Sequence, residues 1–123
     1  ESEPILLNVR AIRWMWDANY IRLLYTDGYE LHLYNVASHT DETLTRVSDR
    51  ITDIAWYPVE SRFLIAQSEK VTAREISDLS PVETIIFEGS SIEQFYISPQ
   101  GDKLYVLATV NGEKGFFEKT LQK

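Results

Sequence analysis

The sequence predicts an all-β domain made of three copies of one four-stranded antiparallel unit. Three observations carry this. A hairpin pattern recurs twice at a nearly constant spacing, no stretch shows helical periodicity, and Ile, Val, Thr, Tyr and Phe are abundant, as they are in strands.

The first copy opens with RAIRWMWDANYIRLLYT, from Arg10 to Thr26. It reads as a strand, a turn and a second strand centred on Leu23-Leu24-Tyr25. TDGY follows at Thr26–Tyr29, and its Asp-Gly pair marks a tight turn because such turns need the positive φ that Gly tolerates. YELHLYNV is the third strand, with Tyr29, Leu31 and Leu33 on one face and Glu30, His32 and Tyr34 on the other. ETLTRV, from Glu42, is the fourth.

The second copy, ITDIAWYPVESRFLIAQ, lies 40 residues on. Ile54 meets Trp14, Trp56 meets Trp16, Arg62 meets Arg22, and Phe63-Leu64-Ile65 meets Leu23-Leu24-Tyr25. QSEK at Gln67–Lys70 is its turn, and ETIIFE from Glu83 its fourth strand. The third copy, IEQFYISPQGDKLYVLA, is displaced by a further 41 residues and puts Phe95 on Ile54, Pro99 on Pro58 and Leu104-Tyr105-Val106 on Phe63-Leu64-Ile65. VNGEKG at Val110–Gly115 turns it into its third strand. Consecutive apolar residues in each second strand predict a strand covered on both faces by neighbouring units. Four short antiparallel strands in about 41 residues are the dimensions of one β-propeller blade.

ISPQGDKLYVLA, and more loosely WYPVESRFLIA, resemble the WD40-like repeats of TolB-type propellers, whose blades open with a W/F-S-P-D-G-K-x-L-like hairpin. Ile97-Ser98-Pro99-Gln100-Gly101-Asp102-Lys103-Leu104 carries the resemblance best. WMWDANYIRLLY departs from it, lacking the Pro and Gly, and no copy has the Gly-His and Trp-Asp pairs of true WD40 repeats. The resemblance covers essentially the whole chain. It implies blade geometry and identifies no ligand, because families that share it include periplasmic interaction domains and the non-catalytic domains of some peptidases. It also implies a bacterial envelope or secreted setting.

The two ends are unequal. In EPILLNV, Glu3 sits where Glu42 and Glu83 sit, and Ile5 where Leu44 and Ile85 sit. Glu3–Asn8 is therefore expected to be a fourth strand with no blade of its own, whereas the last blade stops at Leu121-Gln122-Lys123 after its third strand. The expected organisation is a clasp strand at 1–9 that completes another blade, followed by blades at 10–49, 50–89 and 90–123, the last without its outer strand. Propellers ordinarily have four to eight blades, so three form an arc. Two chains exchanging N-terminal strands would close a six-bladed homodimer, and three chains a nine-bladed trimer. Alternatively, further blades of a longer chain complete the ring. Ile5, Leu6, Leu7, Phe116 and Phe117 are the expected oligomerisation residues. The start at Glu1 rather than Met predicts a piece of a longer protein.

Chemistry is sparse. A net charge of −7 with scattered Lys and Arg argues against nucleic acid. Apolar runs no longer than Leu104–Ala108 argue against membrane insertion. There is no cysteine, hence no disulfide or thiolate site. His32 and His39 match no zinc spacing. No Gly-x-Ser-x-Gly elbow, phosphate-cradling loop or sialidase-type Ser-x-Asp-x-Gly-x-Thr-Trp box occurs. No catalytic, cofactor-binding or metal-binding residue is expected. Trp14, Trp16 and Trp56 fall on first strands, and the equivalence of Trp16 and Trp56 predicts wedges between blades. Asp17 and Tyr57 follow them at the channel mouth, so Trp16, Asp17, Trp56 and Tyr57 are the candidate partner-binding residues. The expected function is a non-enzymatic, self-assembling interaction or scaffold module. Its alternatives are a non-catalytic, substrate-gating segment of a larger hydrolase or peptidase, and a fragment of a longer single-chain propeller.

Overall fold

The computed structural model describes residues 2–58, 62–76 and 83–121. The second copy's first turn at 59–61, and the chain end at 122–123, lie outside them. Three antiparallel sheets follow one another along the chain. The first has β1 (Arg13–Trp16), β2 (Arg22–Thr26), β3 (Glu30–Asn35) and β4 (Thr40–Arg46) in that order; the second has β5 (Asp53–Trp56), β6 (Arg62–Ala66), β7 (Lys70–Glu75) and β8 (Glu83–Glu88). The third has three strands, β9 (Ser90–Ile97), β10 (Lys103–Val110) and β11 (Glu113–Thr120), with β10 central.

Turn chemistry sets the registers. Asp27 Oδ1 accepts the Tyr29 and Glu30 N–H groups at 2.9 and 2.8 Å, and Gly28 takes φ +109°. Asn111 and Gly112, both at positive φ, make the two-residue turn between β10 and β11, the geometry that matches strand twist.

The core lies in two layers between sheets. Leu24, Leu31 and Leu33 of the first sheet meet Ile54, Trp56, Phe63 and Ile65 of the second. Leu64, Ala66, Val71 and Ala73, on the second sheet's other face, meet Ile92, Leu104, Val106 and Ala108 of the third. The middle sheet is thus covered on both sides, which is why β6 reads apolar without alternation. Leu31 and Leu33 bury as their face predicts. Tyr34, on the face read as polar, is buried too, while His32 reaches Glu30 at 3.1 Å.

Residues 2–11 form no strand, although a strand was expected over Glu3–Asn8. A strand needs an edge to pair with. The third sheet carries such an edge on β11, but the second sheet stands between it and the N-terminal segment's own sheet.

Candidate functional site

Each sheet turns from its first strand into its second at the same end of the molecule, and each turn begins with one equivalent bond. Asp17 N–H donates to Arg22 O, Tyr57 N–H to Arg62 O, and Ser98 N–H to Lys103 O, each at 2.9 Å. The three turns border an open groove of about 550 Å³ that runs across all three sheets.

All four candidate residues line it. Trp56 is buried, and its indole N–H donates to Met15 O at 3.1 Å, fastening the second sheet to the first. The Tyr57 hydroxyl donates to Gly101 O at 2.7 Å, fastening the second sheet to the third. Both therefore act as wedges between sheets. Trp16 is half-buried, with the exposed Tyr20 ring 6.4 Å away. Asp17 is the one carboxylate among the groove's described lining residues. Its Oδ1 accepts from Ile21 and Arg22 N–H, and its Oδ2 lies 3.1 Å from Arg22 Nε. Burial pushes this carboxyl up, yet the two backbone bonds and the guanidinium outweigh it and hold it below its ordinary value.

Arg22 was not singled out from sequence, nor were Tyr20 and Tyr96. The Arg22 guanidinium stacks 4.7 Å from the Trp56 ring centroid, across the joint. A signal existed in its recurrence at Arg62 and Lys103, but the ring beneath it belongs to another copy. With Asp17 ion-paired to Arg22, the described lining offers rings, prolines and the face of a guanidinium. These suit contact recognition, with no acid–base pair among the described lining residues. No group of three or more His, Cys, Asp or Glu among the described residues could hold a metal ion.

The candidate oligomerisation residues lie elsewhere. Ile5 and Leu7 are exposed and Leu6 is half-buried. Phe116 is 84% exposed, whereas Phe117 turns inward onto the layer between the second and third sheets. β11 pairs with β10 alone among the described residues.

No family model and no curated protein matches the sequence. Among solved structures, the chain is similar to one in a nidogen/laminin complex, with TM-score 0.73 and 11% identity over 89% of this chain and 44% of that one. It is similar to TolB from Acinetobacter baumannii, with TM-score 0.68 and 14% identity over 87% of this chain and 29% of that one. A chain of a mitotic checkpoint complex gives 0.64 and 14% over 89% and 36%. These neighbours are β-propeller proteins. The fold is a partial β-propeller. The chain spans less than half the length of each of these neighbours, and at such identities the likeness concerns fold alone. Each sheet is a blade, with β1, β5 and β9 as the first strands.

No helix of the described residues is long and apolar enough to cross a membrane.

Proposed function

We propose that the chain is a non-enzymatic interaction module that assembles with itself, lending residues 3–8 to the third blade of a second copy. One observation carries this reading. Two blades have four strands and the third has three, while the apolar Ile5 and Leu7 lie exposed outside any strand. The repeat aligns Glu3 with Glu42 and Glu83, so the free segment has the pattern of an outer strand. An open strand edge is a template for one, and reciprocal exchange between two copies closes into a finite ring of six blades. The groove at the channel mouth is then the surface for a further protein partner, with Trp16 and Tyr20 as its anchors.

The chain's share of its neighbours' length, 29% to 44%, favours a second reading. Here further blades of a longer chain complete the ring, as in the gating propeller of a hydrolase. The TolB likeness supports an envelope or secreted setting for either.

Mass in solution separates the two. Light scattering on the 14.3 kDa chain should give twice that mass at micromolar concentration. A well-folded monomer overturns the self-assembly reading, and a threefold mass replaces the six-bladed ring with a nine-bladed one.

A further inference from the structure

Strand pairing is one half of any joint between blades; packing of their faces is the other. The registers make the equivalent positions in the three blades explicit. Leu31 pairs with Thr26, Val71 with Ala66 and Phe116 with Leu107, so Leu31, Val71 and Phe116 occupy one position. Leu24, Leu64 and Tyr105 share another, and Met15, Ala55 and Tyr96 a third. These positions face the next blade. Where a next blade exists, Leu24, Leu31, Leu64 and Val71 are fully buried and Ala55 is buried, while Met15 is 39% exposed. In the third blade, Phe116 is 84%, Tyr96 61% and Tyr105 39% exposed.

The first blade shows the converse. Trp14 is equivalent to Ile54 and Leu23 to Phe63, both of which are buried against the preceding blade. Trp14 is 64% exposed. On the same face, the Tyr25 ring stacks on His32 with centroids 4.9 Å apart, and its hydroxyl donates to Asp41 at 2.8 Å. The polar atom is satisfied within the blade, so the face meets an incoming sheet without an unpaired donor.

We infer that these two end faces are the halves of one joint, in which Tyr96, Tyr105 and Phe116 of one copy pack on Trp14 and Leu23 of a second. The inference rests on the self-assembly reading above. The occupant follows from the molecule itself: the same positions already make two joints inside the chain, and in both the partner is the next repeat. Large aromatics stand at the outer positions where the internal joints have Leu, Val, Met and Ala, which fits a joint meeting Trp14 rather than Ile54. A two-fold dimer makes this joint twice, and each copy contributes one face to each.

Phe116→Glu and Trp14→Glu, made separately, test it. Both side chains are exposed in the single chain, so each variant should keep the β-type circular dichroism of the wild type. A carboxylate buried in the joint should raise the dimer Kd about 100-fold or more, returning the mass to 14.3 kDa. Tyr96→Glu reads the same joint from the third blade if Phe116→Glu folds poorly. If folded variants on both faces keep the wild-type mass and Kd while deletion of residues 2–8 dissociates the dimer, strand exchange alone holds it and this inference falls. If the wild type is itself monomeric, the self-assembly reading falls first and the inference with it.

Discussion

Gly101 sits where the third blade's first hairpin turns beneath Tyr57. Its φ is +75°, and a Cβ there would lie 2.8 Å from the Tyr57 ring and hydroxyl, which itself donates to Gly101 O. Gly112 has nearly the same φ, +79°, with nothing within 4 Å. The pair separates backbone strain from steric conflict. Gly112→Ala should cost about 1 kcal/mol for the left-handed conformation. Gly101→Ala should cost about 1–3 kcal/mol more, because the ring must move and its bond between blades with it. Urea midpoints measure both, and equal losses would show that Tyr57 yields freely. Asp27 offers a titration. The Tyr29 and Glu30 N–H groups hold its carboxyl below the ordinary value, so the unfolded chain takes up the proton first as pH falls. Its contribution is complete above the ordinary carboxylate value and is lost as pH falls through the folded one. Asp27→Asn keeps an acceptor for both N–H groups, so its melting temperature should fall less than the wild type's between about pH 7 and about pH 3.

At the scale of elements, the first strands of the three blades are tied by one side chain. Asp53, at the start of β5, accepts Phe95 N–H from β9 at 3.1 Å and lies 3.9 Å from Arg13 Nε of β1. Burial pushes its carboxyl up, and the bonds from Phe95 and Ile54 with the nearby Arg13 offset only part of that. The sign is therefore opposite to that of Asp27: this group favours the folded chain more as pH falls through its raised value. Asp53→Ala leaves the Phe95 N–H without this acceptor and should cost about 1–3 kcal/mol, read by thermal or urea unfolding. An unchanged stability would mean that the apolar layers alone align the first strands. Strand positions were legible because each hairpin is a local pattern: β6 and β10 show as apolar runs, and the Asp27-Gly28 and Asn111-Gly112 turns as residues that tolerate positive φ. Asp53 was not legible, because its equivalents are Arg13 and Gln94 and its partners come from two other repeats.

For the whole molecule, two packed layers leave two uncovered ends, and the N-terminal segment at 2–11 forms no strand. Leu6→Asp places a charge in that segment. Under the self-assembly reading it should return the dimer to a folded monomer without loss of strand signal, and an unchanged mass would show the segment idle. By itself, the sequence determined the period, the turns and the apolar second strands, because each is set by neighbours within one repeat. It also marked Trp16, Asp17, Trp56 and Tyr57 as companions, since strand ends of equivalent repeats fall at one end of the molecule. Only the tertiary structure decided that Arg22 lies over Trp56, that Tyr57 reaches Gly101, and that Phe117 turns inward while Phe116 does not. Those are contacts between faces of different blades. Their chemistry depends on rotation and spacing between sheets that no single strand encodes.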